Sequence, residues 1–475
     1  MTKLSKIDET LWEIPASERG DMRVPARLFA DAELLEAIRD DRSLEQLQNV
    51  ATLPGIVGAA LAMPDIHQGY GFPVGGLAAT DPGDGVVSPG GVGYDINCGV
   101  RLLVMPLTVD ELDGRKETLV HEIHRRAPAG AGREGGLKLK GAQLDEVLRD
   151  GPRALLDRGI GTEHDVEHTE SGGRLEGADP DATSPRARER GSSQLGTVGS
   201  GNHFVEVQRV ERIFDEEAAS AYGLSSGLVT VLIHSGSRGL GHQVCTDYVK
   251  RMDAALARHE IDLPDRQLAC APIASDEGHA YLGAMAAAAN FAWANRHTLA
   301  DAVREAARQV LGGEVADRTR LVYDVAHNVA KLEPYDGREL CVHRKGATRA
   351  FPPGHPEIPA GYRAAGQPVF IPGSMGTSSF VLAGRQGSME RSFGTTCHGA
   401  GRVMSRTRAR KQIGGKELRR QLEEHGITVR SASNRGLTEE APFAYKDVEA
   451  VVDVVERAGL AARVAQLRPI GVIKG

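Results

Sequence analysis

The chain has 475 residues, 41% hydrophobic and 25% charged, which is the profile of an ordinary globular protein with room for one large core carrying insertions or for two to three domains. A net charge of −7 excludes a broadly basic nucleic-acid binder, so any such partner would need a local basic surface on an acidic body. Glycine is abundant at 57 residues but has no collagen-like period, and it gathers in discrete motifs that read as functional loops.

In chain order, the segment after Met1 is charged and polar, without the apolar stretch of a secretory signal. Residues 32–50 read as helical, with Leu34, Leu35 and Ile38 on one face and Ser43/Gln46 as a capping box for a second short helix. Residues 63–76 read as a turn-rich loop displaying Asp65 and His67. Residues 100–107 suit a buried strand, and residues 112–127 an amphipathic helix with Leu112, Leu119 and Ile123 inward. A helix is expected near 142–157. His164 and His168 have the spacing of a helical metal pair, but Glu163, Asp165 and Glu167 around them favour a solvated surface. Residues 172–193 are charged and rich in Gly, Pro and Ser, which suggests an exposed loop or insertion rather than a domain linker. Residues 204–207 alternate like a strand. Residues 228–233 form a second apolar strand, feeding a helix whose Val244, Tyr248, Met252 and Leu256 share a face. The most apolar helix candidate, 281–293, is interrupted by Asn290 and followed by Asn295, Arg296 and His297, too short and too polar to span a bilayer. The five cysteines (Cys98, Cys245, Cys270, Cys341, Cys397) are scattered and odd in number, which argues against a disulfide framework and for a reducing, cytoplasmic setting.

The chemistry concentrates in a few stretches. Asp95-Ile-Asn-Cys98 sets a carboxylate and a thiol three residues apart between glycines. A buried carboxylate is costly unless its charge is compensated, and a divalent metal would both compensate it and hold the cysteine as thiolate. On this stretch alone a glycine-rich turn with one buried free cysteine is an equal reading. Three later histidines shift the balance: His203 at the start of one strand, and His234 and His327 at the ends of two others. One carboxylate, one thiol and three imidazoles suit a borderline transition metal, with Zn, Mn, Fe and Co all open. The small residues before Asn202 suit a backbone nest for phosphate, Arg238 offers a fork for oxyanions, and Pro372–Ser379 is a second loop of small residues and hydroxyls. His398, flanked by Cys397 and Gly399, is sterically open as a nucleophile must be. Arg402, Arg406, Arg408, Arg410 and Lys411 follow with no acid among them, by default a solvated helix face. An apolar terminal strand carrying Lys474 is odd for a fraying end and suggests that the lysine is docked.

Taken together and in order, Asp-x-x-Cys, Gly-Asn-His-Phe, His-Ser-Gly-Ser-Arg-Gly, Ala-His-Asn, Pro-Gly-Ser-Met-Gly and Cys-His-Gly-Ala-Gly-Arg resemble the RtcB family of RNA-splicing ligases along essentially the whole chain. The resemblance implies an α+β, RtcB-like fold, a buried sheet core surrounded by helices, with the metal site on loops at strand ends of a single catalytic domain spanning 1–475. It implies a GTP- and Mn²⁺-dependent ligase joining RNA 3′-phosphate or 2′,3′-cyclic phosphate ends to 5′-hydroxyl ends. Carried over, Asp95, Cys98, His203, His234 and His327 would hold two Mn²⁺ ions with Cys98 bridging, and His398 would become a covalent histidine–GMP. The guanylate pocket would comprise Asn202, His203, Phe204, Val205, Glu206, His327, Asn328, Pro372, Gly373, Ser374, Met375, Ser379, His398, Gly399, Ala400, Gly401 and Lys474. Asp65 would orient the His398 ring, and Arg238, Arg402, Arg406, Arg408 and Arg410 would receive RNA phosphates. The expected partners are RNA, GTP and an archease-type activator, on a monomer without membrane contact. Two rivals use the same residues: a metal phosphoesterase with water as nucleophile and His398 as general acid, and a non-catalytic RNA-repair scaffold with a structural metal.

Overall fold

The computed structural model describes residues 4–39 and 41–475. The polar start at residues 1–3, and Asp40 within the expected helical stretch 32–50, lie outside the described residues. The fold is mixed α+β. Among the described residues, one large sheet of eight strands runs in the order Arg320–Ala326, Gly99–Thr108, Leu228–Ser235, Phe204–Ile213, Ala461–Lys474, Ser379–Gly384 and Pro368–Ile371, with Thr428–Ser431 added in parallel to the terminal strand. A second sheet of seven strands includes Ile56–His67, Val74–Thr80, Arg338–Lys345 and Asn328–Tyr335 as neighbours.

Residues 100–107 are apolar apart from Arg101 because both faces of their strand are covered, and the buried Arg101 is paired with Asp324 at 2.7 Å. On one face, Leu103 and Met105 join Val231, Ile233 and the Leu299–Ala307 side of the helix Asp276–Leu311. On the other, Val100 and Leu102 pack with Leu232, Val322, Phe351 and Phe370. That helix runs 36 residues, straight through the polar group expected to close its apolar stretch. Asn290, Asn295, Arg296 and His297 are all fully buried because each has partners: Asn290, for instance, accepts from Leu175 N at 2.8 Å and donates to Arg149 O at 2.9 Å. Among the described residues no helix is long and apolar enough to cross a membrane.

Three local expectations are corrected. Residues 63–76 are not all loop: Asp65 and His67 end the strand Ile56–His67, and Asp65 is fully buried. The capping box at Ser43/Gln46 does not form, because Gln46 instead exchanges two hydrogen bonds with Gly69 and Ser43 N is capped by Asp41. Residues 172–193 are not a free loop. They hold the turn Pro180–Ala182 and the helix Pro185–Gly191, capped by Ser184, with Gly173, Pro180, Ala187 and Gly191 buried. The polarity that suggested exposure lies on one face of that helix, whose other face packs on the helix Arg238–Ala255 through Ala187 and Leu240.

Candidate active site

Strand pairing brings the scattered motifs together. Val100 faces His234 across one ladder, and Phe204 faces His234 across the next. Lys474 pairs with Phe204 on the far side, which docks the chain's penultimate residue in the middle of the sheet. His327 and Asn328 are stitched to the Asp95–Cys98 turn: His327 N donates to Cys98 O at 2.7 Å, Asn97 N to Asn328 O at 2.6 Å, and Asn328 Nδ2 to Asp95 O at 3.0 Å.

Cys98, His203 and His234 offer ligand atoms that all lie within 4.8 Å of one another. Cys98 Sγ is 3.3 Å from His203 Nε2 and 3.2 Å from His234 Nε2. Asp95 Oδ2 stands 2.8 Å from His203 Nε2. The His327 ring lies edge-on to His234 at 5.5 Å between centroids; its Nδ1 pairs with Thr348 Oγ1 at 2.9 Å. Its Nε2 is buried and makes no hydrogen bond among the described residues. An orphaned buried ring nitrogen beside a carboxylate, a thiol and two imidazoles is what a cation site requires, and the mixed N, O and S donors suit a borderline divalent ion. Burial keeps His203, His234 and His327 below the ordinary histidine range, hence neutral and free to ligate. Burial, with Asp95 beside it, pushes the Cys98 thiol well up, an effect that a bound cation would reverse. Burial opposes ionisation of Asp95, but the 2.8 Å contact with His203 and the charge of Arg238 outweigh it and hold that carboxyl well below the usual range.

A buried ion network braces these ligands from behind. Arg296 Nη1 donates to Asn97 O at 2.7 Å and Ser235 O at 2.9 Å, and Arg296 Nη2 to Asp324 Oδ1 at 2.7 Å. One guanidinium thus ties the Asp95–Cys98 turn to the neighbours of His234 and to the strand that ends at His327. Asn97 has a left-handed φ of 50° and donates Nδ2 to Ala289 O at 2.7 Å. Asn97→Gly keeps that backbone and loses the anchor, while Asn97→Ala loses both. Metal affinity is expected to fall about 10-fold in the glycine variant and about 100-fold in the alanine variant, read by calorimetric Mn²⁺ titration. Equal affinities in both would remove the turn from the account.

His398 faces the same centre. Its ring is 5.2 Å from His327 between centroids, and its Nδ1 donates to Asp65 Oδ2 at 2.5 Å. The same oxygen accepts from His398 N at 3.1 Å and Gly399 N at 3.3 Å. A cleft of about 260 Å³ joins this histidine to Cys98 and His234 of the donor cluster. Of the expected guanylate residues, Asn202, Phe204, His327, Asn328, Pro372, Gly373, Ser374, Met375, His398, Gly399, Ala400, Gly401 and Lys474 line it. Glu206 and Ser379 lie beneath: Gln208 Nε2 donates to Glu206 Oε1 at 2.6 Å and to Ser379 Oγ at 3.1 Å, and Ser379 Oγ accepts from Gly373 N at 3.2 Å. Burial raises Glu206 to about 8 and lowers Lys474 to about 8. Val205 departs from expectation, because alternation along the strand turns its side chain into the apolar core with Val207 and Val231. His164 and His168 stack on each other at 3.8 Å and stand apart from the cluster.

The basic residues also differ from expectation. The run 402–411 has no acid along the chain but meets two in space. Glu440 takes Arg402 at 2.9 Å and Arg406 at 2.8 Å, and Glu439 takes Arg410 at 3.4 Å. Arg408 is exposed and, among the described residues, has no ion-pair partner. Arg238 Nη1 stands 2.8 Å from His203 Nδ1, and a Cβ on Gly199 would fall 1.6 Å from Arg238 Nη2. That glycine is therefore small to admit the guanidinium, a different use from the phosphate nest expected there. Likewise a Cβ on Gly236 would meet Asp95 Oδ1 at 2.4 Å. Sequence reasoning missed Tyr94, Glu440 and Tyr445, which also line the cleft, and Lys446 behind it. No local motif marks them.

A sequence model of the family described as "tRNA-splicing ligase RtcB" matches residues 46–475. The chain is 54% identical over 480 residues to the tRNA-splicing ligase RtcB of Thermococcus kodakarensis, covering 100% of this chain and 99% of that protein. It is 53% identical to the protein of the same name from Archaeoglobus fulgidus, over 99% of each chain. It is 52% identical to the RNA-splicing ligase RtcB of Mycobacterium tuberculosis, over 90% of this chain and 100% of that one. A fold and cleft of this kind define a protein with a candidate metal site beside a histidine–carboxylate pair. The chain belongs to the RtcB family.

Proposed function

We propose that this protein is an RNA ligase that uses GTP and Mn²⁺ to join an RNA 3′-phosphate or 2′,3′-cyclic phosphate end to a 5′-hydroxyl end. The observation that carries the reading is that His398, held from behind by Asp65, lines the same cleft as Cys98 and His234 of the Cys98–His203–His234 cluster. The ligase names of the full-length relatives support it. With Nδ1–H donated to Asp65, His398 keeps the Nε2 lone pair for attack. The bond formed is Nε2 to the α-phosphorus of GTP, and the bond broken releases pyrophosphate. The guanylate then passes to the RNA 3′-phosphate, returning a free imidazole, and the 5′-hydroxyl displaces GMP to close the phosphodiester. Asp95, Cys98, His203, His234 and His327 would hold the Mn²⁺. When bound, the metal supplies charge neutralisation on phosphate oxygens and activation for opening cyclic ends.

Asn202, Phe204, Asn328, the loop 372–375 and Lys474 would hold the guanylate, with Glu206 and Ser379 supporting that loop from below. The ammonium of Lys474 lies 5.4 Å over the Phe204 ring, close to where a phosphate would sit. Arg238 and Arg408 are the favoured RNA phosphate contacts, since Arg402, Arg406 and Arg410 are engaged by acids. Arg408→Ala is expected to reduce the slope of log affinity against log salt by about 0.7 for single-stranded RNA. An unchanged slope would take Arg408 out of the RNA track. The function itself is tested by incubating RNA halves bearing 3′-phosphate and 5′-hydroxyl ends with enzyme, Mn²⁺ and either GTP, ATP or no nucleotide. Sealing with GTP is expected. Phosphate release without nucleotide, and no sealing, would favour a phosphoesterase instead.

A further inference from the structure

Behind the His398–Asp65 pair lies a buried cation. Lys446 Nζ donates to Pro64 O at 2.9 Å and Ile66 O at 2.7 Å, the carbonyls on either side of Asp65. The Lys446 backbone N–H donates to Gly401 O at 2.9 Å, three residues beyond His398. A Cβ on Gly401 would fall 2.2 Å from Asp65 O, so the two segments are in direct contact. One residue therefore pins the strand of Asp65 to the loop of His398.

Its charge bears on the same pair. Asp65 is fully buried; its Oδ2 takes three hydrogen bonds and its Oδ1 none among the described residues. An anion in that setting needs nearby positive charge. Burial pushes Asp65 up, and His398 and Lys446 together overcome it and hold the carboxyl below its ordinary range. Burial lowers Lys446 to about 8, with Asp65 resisting the fall, so it remains cationic at neutral pH. The other groups facing the pair add little positive charge. His67, two residues along the strand, is lowered to about 4 by burial and is neutral; His327, its ring 5.2 Å from that of His398, is lowered by burial as well; Cys397 is pushed up by burial, so its thiol stays protonated; the charge of Asp41 also acts on Lys446.

We propose that Lys446 is a positioning residue for guanylate transfer, holding Asp65 as an anion in register with His398 Nδ1 while the imidazole gains and loses its phosphorus bond. The inference rests on the reading of His398 as guanylate acceptor. When Nε2 attacks the α-phosphorus the ring becomes cationic, and its Nδ1 proton is shared with Asp65. A cation behind Asp65 keeps that carboxylate a weak base, so the proton stays on the ring and the imidazole remains a good leaving group for the RNA phosphate.

The test compares wild type with Lys446→Arg, Lys446→Gln and Lys446→Met across pH. One readout is covalent adduct from α-labelled GTP. The other is carbethoxylation of His398 by diethyl pyrocarbonate, read by peptide mass spectrometry without nucleotide. Arginine is expected to keep the wild-type acid limb, while glutamine and methionine move it up by about one pH unit in both readouts. Glutamine loses the charge but keeps a neutral donor on a side chain one bond shorter, so it decides the matter if methionine fails to fold. One common limb for all four proteins would overturn the positioning role. A charge-dependent carbethoxylation limb with no adduct, even in wild type, would keep that role and reject the guanylate reading.

Discussion

Cys98→Ala is expected to lower divalent-metal affinity by at least about 100-fold and to abolish RNA sealing, with the melting transition retained. The thiol is the hub of the donor set, 3.2 Å from His234 Nε2 and 3.3 Å from His203 Nε2, and its backbone carbonyl accepts from His327 N. Alanine removes the one soft donor and leaves the hydrogen-bonded turn in place. The check is calorimetric titration with Mn²⁺, alongside the thiolate charge-transfer band of a Co²⁺-loaded sample, which should vanish in the variant. Unchanged affinity would mean that the metal sits elsewhere.

Asp65→Asn is expected to slow formation of the covalent guanylate by roughly 10² to 10⁴-fold. Asparagine has the same shape, and its amide oxygen can still accept from His398 N and Gly399 N. What it removes is the negative charge that holds Nδ1–H and, in the proposed reaction, would stabilise the cationic ring as the phosphorus bond forms. Loss of that anion also leaves Lys446 buried without its nearest counter-charge, so metal binding should persist while adduct formation falls. Single-turnover labelling with GTP measures the rate directly. A wild-type rate in Asp65→Asn would show that Asp65 does not orient the nucleophile.

Much of the site was legible because its residues sit in short glycine-bounded motifs at strand ends. The strand at 100–107, the strands before His234 and His327, and the docked Lys474 all follow from local patterns: mostly apolar runs, each broken by one polar residue (Arg101, Thr230, Asp324), and a polar residue where each run stops. The family resemblance drawn from those motifs is met by the family match over residues 46–475. What could not be read depends on pairing across long separations. Glu440 neutralises Arg402 and Arg406 from more than thirty residues away, so a run that looked freely basic is largely engaged. Asn290 read as an interruption of the apolar helix and Arg296 as polar sequence beyond it because their partners, at Leu148, Leu175, Asn97 and Asp324, are distant in the chain. The helix at 185–191 was mistaken for part of an exposed loop because its apolar contacts are few and small, Ala187 and Gly191 against Leu240. Lys446 carries no motif at all; only the fold brings its ammonium to the carbonyls beside Asp65.

The measurement that bears most directly on the account is labelling with α-³²P GTP and Mn²⁺ of wild type and His398→Ala, followed by denaturation and mapping of the labelled peptide. The account predicts an acid-labile guanylate on His398 in wild type and none in the variant. A wild-type protein that binds metal and seals or trims RNA ends, yet carries no guanylate on His398, would contradict it.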